Sequence, residues 1–332
     1  MLVRFGDSPM SRPLLVDTDP GCDDAVAILT ALERADLEVV GLTTVHGNAP
    51  VGETTENARA ILELVDRADV PIAKGTDRPL TVPLRTAEHI HGEGGIRGDV
   101  PTPTAASRPV DAHAAQFIVE QARAHEGGLT LAAIGPLTNV ALAHAMEPDL
   151  PDLLDELVVM GGAAFVSGNV TPLAEANFHT DPHAAHRVVR DCSPTLVGLD
   201  VTANTAVPPA EVESLPRDDP LGRSIYEWLT YYGDDQLEQY GIESAAIHDA
   251  LVIAALVDDG VLETERYPME VGTDSEMARG ALVCDRNGVR GETSNGAVAL
   301  EADYERFREI VSASLERHLE RAGADADENS VA

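Results

Sequence analysis

Between residues 17 and 24 the chain reads Asp-Thr-Asp-Pro-Gly-Cys-Asp-Asp. Carboxylates crowded this closely repel one another, and left unpaired they would take up protons. A hard divalent cation removes the conflict, because Ca²⁺ and Mg²⁺ prefer several oxygen ligands. Pro20 and Gly21 turn the chain between the two acidic pairs, so acids on both sides of the turn can converge on one point. The residues alone therefore predict a metal site at the end of a first strand. Two plainer readings stay open. Asp23 and Asp24 suit the first turn of a helix whatever else they do, and Asp17 or Asp19 could simply satisfy backbone donors at the turn.

Further polar clusters follow apolar runs along the chain. They are Thr44-Val45-His46-Gly47-Asn48, Gly135-Pro136-Leu137-Thr138-Asn139, Gly161-Gly162, Gly168-Asn169, Glu175-Ala176-Asn177 and, far downstream, His248-Asp249. The runs themselves read as strands at Leu14–Val16, Val39–Val45, Val70–Ala73, Leu129–Ile134, Leu157–Met160 and Thr195–Leu199. Between them lie amphipathic stretches at Ala25–Arg34, Glu53–Asp66, Ala112–His125 and Pro182–Arg190. Regular alternation predicts an α/β fold: an open, mostly parallel sheet with helices on both faces, Rossmann-like in architecture. Ligands in such sheets sit beyond the carboxyl ends of the strands, where the polar clusters fall. The second half reads as more helical, at Leu221–Gln239 and Ala246–Asp258, with strands near Met269–Val271 and Ala281–Cys284 and a last helix at Ala302–Arg321. The organisation expected is an N-terminal extension (1–12), one domain (13–321) and an acidic, disordered tail (322–332). The stretch Gly75–Val110 reads as a long loop, and loops of that length are usually functional.

The formal net charge is −34, and Lys74 is the only lysine. The acids are spread over helix faces and loops, which reads as a halophilic surface whose self-repulsion is screened by salt. Such a charge argues against nucleic acid and against anionic membranes as partners. Cys22, Cys192 and Cys284 are far apart and odd in number, which suits buried thiols in a reducing cytoplasm rather than a disulfide frame. Carboxylate neighbours raise the thiol pKa of Cys22 and make it a poor nucleophile. No stretch reaches the length of a membrane span and no signal-peptide core is evident, so the expected compartment is the cytoplasm.

Taken together, the motifs resemble the inosine–uridine-preferring nucleoside hydrolase family from about Leu14 to Val283. The resemblance is carried by D-T-D-P-G-x-D-D at Asp17–Asp24, T-V-x-G-N at Thr44–Asn48, the His91-Gly92 loop, I-G-P-L-T-N at Ile134–Asn139, M-G-G at Met160–Gly162, Gly168-Asn169, E-x-N at Glu175–Asn177, Asp181-Pro182, His248-Asp249 and Ala278-Arg279-Gly280. It implies hydrolysis of the N-glycosidic bond of purine or pyrimidine ribonucleosides to free base and ribose, as in nucleoside salvage. It implies Asp19, Asp24 and Asp249 as carboxylate ligands of Ca²⁺, with the carbonyl of Ile134, and Asp19 also as general base toward water. Asp23, Asn48, Asn169, Glu175 and Asn177 would hold the ribose, His248 would serve the leaving base, and His91 would line the base pocket or merely cap a loop turn. A homodimer or homotetramer is implied as well.

The chemistry agrees: glycoside cleavage passes through an oxocarbenium-like state, a carboxylate can activate water, and a histidine has the pKa range to protonate a purine nitrogen. Two departures stand out. Ala176 replaces the aromatic the family often carries within E-x-N, and Glu93 and Arg97 charge the His91 loop. His89, His179, His183 and His186 are expected at surface or structural positions. Tyr231, Tyr232 and Tyr240 could stack on a base or belong to a helix core. Competing functions are a non-catalytic Ca²⁺- or nucleoside-binding protein, a phosphatase of the haloacid dehalogenase type suggested by Asp17-x-Asp19, and phosphorolysis, to which the acidic rim is hostile.

Overall fold

The fold is seen in a computed structural model that describes residues 11–98, 100–240 and 246–330, apart from the side chains at 232, 234–240 and 325–330. The expected extension at 1–12 lies almost entirely outside the described residues. The described residues form ten strands: β1 (Arg12–Thr18), β2 (Leu37–Thr44), β3 (Ile72–Lys74), β4 (Leu129–Ala133), β5 (Leu154–Met160), β6 (Thr195–Val197), β7 (Leu262–Arg266), β8 (Met269–Val271), β9 (Leu282–Cys284) and β10 (Ala297–Ala302). Eight form one sheet in the order β3-β2-β1-β4-β5-β6-β10-β7. It is parallel except for the antiparallel β10–β7 edge. Strands β8 and β9 pair separately, antiparallel.

The sheet is buried on both faces, and alternate residues of its strands feed two cores. Leu14 and Val16 of β1 join Val158 and Met160 of β5 in one, under the helices Cys22–Leu32, Val51–Leu64 and His248–Val257. Leu15 joins Leu131, Leu157 and Val159 in the other, under Ala114–Ala124, Thr138–Met146 and Pro182–Asp191. This period of two explains why the central strands read as continuous apolar runs. From β1 the chain winds one way to β2 and β3, then returns to place β4 on the other side of β1. Loops after β1, β2 and β4 therefore diverge at one switch point, where such sheets hold ligands.

Two strands have no counterpart in the sequence expectation. β7 reads Leu-Glu-Thr-Glu-Arg, an exposed edge with no apolar run. β10 reads Ala-Val-Ala-Leu-Glu-Ala, residues that favour helix, and becomes strand by pairing with β6 and β7. The helix Cys22–Leu32 starts earlier than its apolar pattern, so Asp23 and Asp24 lie inside its first turn. The last helix, Tyr304–Ser330, runs past Arg321 through nine residues of the segment expected as disordered tail; the alanines at 322, 324 and 326 suit its continuation. The described residues of Gly75–Val110 are irregular apart from the single turn Glu88–His91, a short 3₁₀ turn at Glu93–Gly95 and a bridge from Val110 to Ala73. Among the described residues, no helix is long and apolar enough to cross a membrane.

Candidate active site

The octet occupies the β1 loop and the start of the Cys22–Leu32 helix, and its four acids have different surroundings. Asp17 is fully buried and accepts from the Thr43 hydroxyl at 2.5 Å and Asn139 Nδ2 at 2.8 Å. Asn139 also donates to the carbonyl of Thr44, so the side chain ties β1 to β2 beneath the site. Burial pushes Asp17 up to about 7. Asp24 accepts from the Thr18 hydroxyl at 2.5 Å, Gly21 N at 3.0 Å and Asn48 Nδ2 at 3.0 Å. Asp19 accepts from Asn48 N at 2.7 Å, while the Asn48 amide donates to the Asp19 carbonyl at 3.0 Å. Asn48 thus fastens the β2 loop to both acids.

Glycines set the position of Asp19. A methyl group on Gly47 would lie 2.0 Å from Asp19 Oδ2, and one on Gly135 would lie 2.5 Å from Oδ1. The T-V-x-G-N and I-G-P loops can close on this carboxylate only because both positions lack a side chain.

Asp249 comes from the first turn of the His248–Val257 helix, which packs beside the Cys22–Leu32 helix. Oxygens of Asp23, Asp24 and Asp249 lie within 4.8 Å of one another, all buried. Asp23 also shares a hydrogen bond with Asp249, and burial followed by the charge of Asp24 pushes Asp23 up to about 8. Asp19 is raised by burial and then by Asp24 and Asp23; Asp249 is raised by burial, then by Asp23, Asp24, Asp19 and Glu175. The tight trio thus holds Asp23 where the family resemblance puts Asp19, with Asp19 directly alongside. The donor set is all oxygen and strongly anionic, which fits a hard divalent ion.

Every site residue expected from the sequence lines one cavity of about 630 Å³ at the carboxyl end of the sheet. Glu175 caps the short helix Ala176–Thr180: Oε1 accepts from Asn177 N at 2.8 Å, and Oε2 accepts from Gly162 N at 2.9 Å and Phe178 N at 3.2 Å. Burial raises its carboxyl. Asn177 Nδ2 donates to the Ile134 carbonyl at 2.9 Å and the Met160 carbonyl at 3.2 Å, joining the ends of β4 and β5. Asn169 lies on the exposed loop at the mouth. His248 Nδ1 pairs with the Thr202 hydroxyl at 3.0 Å, and burial pulls the imidazole down to about 4. His91 is buried against Gly21 of the octet turn and lines the cavity. Burial, then the neighbouring His248, pulls it down to about 3.

Several expectations need correction. His179, expected at a surface or structural position, is buried and lines the cavity, whereas His89 is exposed as expected and lines the same cavity. His179 sits on the same short helix as Asn177, and His89 lies two residues before His91, so proximity to those motifs was the available signal. Arg85 and Thr180 also line it without having stood out in the sequence. Tyr231 is exposed and does not line the cavity; the side chains of Tyr232 and Tyr240 lie outside the described residues. The Cys22 thiol is pushed up to about 12, chiefly by burial and only then by the carboxylates.

The family model described as inosine-uridine preferring nucleoside hydrolase matches residues 14–309. The chain is 37% identical over 312 residues to the inosine-uridine preferring nucleoside hydrolase of Crithidia fasciculata, covering 93% of this chain and 98% of that one. It is 34% identical to the pyrimidine-specific ribonucleoside hydrolase RihA of Shewanella sp. (strain MR-7), covering 92% and 96%. Among solved structures, a plant nucleoside hydrolase, PpNRh1, superposes with a TM-score of 0.86 at 30% identity over 93% of this chain and 99% of that one. The purine-preferring ribonucleoside hydrolase from Gardnerella vaginalis gives 0.86 at 29%, over 92% and 98%.

Proposed function

The chain belongs to the inosine-uridine preferring nucleoside hydrolase family, and on that premise we propose that it hydrolyses ribonucleosides to free base and ribose in a Ca²⁺-dependent reaction. The observation that carries this is the convergence of acids, amides and histidines from both halves of the chain on one cavity around Asp23, Asp24 and Asp249. Asp19, Asp24, Asp249 and the Ile134 carbonyl would hold the ion, with Asp23 within reach of the same centre. Such an ion, when bound, neutralises the clustered charge and makes water a stronger acid near neutral pH.

The remaining chemistry falls to the protein. Asp19, clamped between two glycine loops, takes the proton of the attacking water. Asp23, Asn48, Asn169, Glu175 and Asn177 hold the ribose hydroxyls, which fixes the anomeric carbon for attack. Thr202 fixes the His248 ring through Nδ1 and leaves Nε2 to serve the departing base. Burial pulls this ring down to about 4, so His248 meets the base as a neutral imidazole rather than as a standing cation. His91 lines the base end.

A reducing-sugar assay with inosine, adenosine, guanosine, uridine and cytidine, in high salt and with or without a calcium chelator, tests the reading. Ribose release that stops on chelation and returns with Ca²⁺ is expected; no release from any of the five refutes it. Unchanged hydrolysis in Asp19→Ala would remove the general-base role, and ribose 1-phosphate appearing only with added phosphate would replace hydrolysis by phosphorolysis. The same reading carries a role in nucleoside salvage, in a salt-rich cytoplasm, by a homodimer or homotetramer. Light scattering of the purified protein checks the assembly.

A further inference from the structure

Asn57 stands on the helix Val51–Leu64 and does not line the cavity. Its side chain is buried. Nδ2 donates to the Pro20 carbonyl at 2.9 Å and to the Gly94 carbonyl at 2.8 Å. A carbonyl only accepts, so the amino end of the amide alone fits between the two. One amide hydrogen thus goes to the octet turn and the other to the loop that carries His91.

That loop needs an anchor. Gly92, Gly94 and Gly95 all have positive φ, at 91°, 77° and 80°. Glycine reaches such angles without a clash, but a glycine-rich segment gives up much conformational freedom when it is held still. The bond from Gly94 N to Glu88 and the bond from Arg97 Nε to the Ile90 carbonyl both stay within the loop. Gly95 packs so closely on Ala49 that a methyl group there would lie 2.6 Å from the Ala49 side chain. That contact is apolar and sets no direction, whereas the Asn57 bonds do.

The support at the other end is firm. Gly21, next to Pro20, donates its N–H to Asp24 Oδ2 at 3.0 Å. A methyl group on Gly21 would lie 2.7 Å from His91 Nδ1, so the imidazole rests on this same residue. His91 stands three residues before Gly94, and Gly21 directly follows Pro20. Holding Gly94 to Pro20 therefore holds His91 on Gly21. We infer that Asn57 is a positioning residue, which sets His91 against the nucleobase by tying the Gly92–Gly95 loop to the octet turn; this rests on the proposed nucleoside hydrolysis. Asp24 keeps its bonds from Thr18 and Asn48 without Asn57. Loss of the tie is accordingly felt at the base and not at the ion.

The test compares a nucleoside with a riboside whose leaving group makes no use of a histidine. 4-Nitrophenolate has no ring nitrogen and departs as a stable anion, so 4-nitrophenyl β-D-ribofuranoside reads ribose binding and water attack alone. On the full-length, Ca²⁺-loaded protein, Asn57→Ala should lower kcat/KM at least about tenfold for the best nucleoside of the five-substrate assay, and no more than about threefold for the nitrophenyl riboside. His91→Ala should show the same selectivity, and in that background Asn57→Ala should cost less than about twofold on the nucleoside. The Ca²⁺ concentration giving half-maximal activity should stay within about threefold of wild type. Because the two substrates are compared within each variant, partial misfolding does not imitate the effect. Asn57→Asp, of the same shape with at most one donor, carries the same comparison if Asn57→Ala does not fold. Equal losses on both substrates overturn the inference, as do an unchanged nucleoside kcat/KM and additive losses in the double variant. A Ca²⁺ requirement raised about tenfold with the substrate ratio kept overturns it too, by moving the effect to the ion. If the wild type releases ribose from no nucleoside, the parent reading itself fails, whatever the variants do.

Discussion

Asp19 shows how little freedom the site leaves to a single side chain. Its oxygens are bounded by the backbone of Asn48 and by two glycines that come within contact distance. Gly47→Ala should therefore push the carboxylate out of place: kcat is expected to fall at least about a hundredfold, the scale of losing a positioned base, while far-UV circular dichroism stays native. Activity within a few-fold of wild type would show that Asp19 has slack. The acids of the octet stood out by their crowding, and the amides and other acids and histidines by the motifs of the family resemblance; the structure brings those expected at the site to one cavity. The glycine contacts were legible as motif letters but not as a clamp, since their meaning depends on two loops meeting across β1. Arg85 and His179 were opaque for the same reason: each is an ordinary residue until the long loop and the short helix are brought face to face.

At the scale of elements, the short helix Ala176–Thr180 depends on what lies beneath it. Phe178 is fully buried and packs against Gly161 and Gly162 at the end of β5. Phe178→Ala should cost about 3–5 kcal/mol of stability, read from urea unfolding, and should raise KM more than it lowers kcat, because Glu175 and Asn177 lose their seat. A KM unchanged at equal folded fraction would detach the helix from substrate binding. Six of the seven parallel strands were legible because both faces of a covered sheet are apolar. β7 and β10 were not, because an exposed charged edge and an alanine-rich strand take their conformation from their partners rather than from their own pattern.

For the whole molecule, buried acids and buried histidines set opposite pH limits. Without metal, the fold keeps protons on Asp17 to about 7 and on Asp23 to about 8, with Asp19, Asp24, Asp249 and Glu175 raised as well. The unfolded chain releases those protons near pH 4, so this stability is complete below about pH 4 and is lost as pH rises toward about 8. His46 and His248 are pulled down to about 4 and His91 to about 3. The unfolded chain takes up those protons near pH 6.5, so their share is complete above about 6.5 and is lost as pH falls to about 3–4. Chelated protein should accordingly lose Tm as pH rises from about 6.5 to about 8, where only the acids contribute, and added Ca²⁺ should raise Tm more at pH 8 than at pH 5.5. Equal shifts at the two pH values, by differential scanning fluorimetry, would contradict this. With a net charge of −34, raising NaCl from about 0.1 M to about 1 M should also raise Tm, as the Debye length shrinks from about 10 Å to about 3 Å; a Tm that falls would argue against the halophilic reading.

The helix that carries Asp23 and Asp24 ends at Glu33, whose side chain is only 2% exposed and is met by Arg317 at 3.5 Å, His318 at 3.6 Å and Arg321 at 2.8 Å. His318 Nε2 also bonds the Leu29 carbonyl at 2.9 Å. The far end of the metal-bearing rod is thus bolted to residues near the close of the chain. For protein engineering this makes Arg317–Arg321 a boundary. A truncation ahead of Arg317 unfastens the rod, and a fusion partner or surface tether attached just past Arg321 pulls on the element that aims the acids.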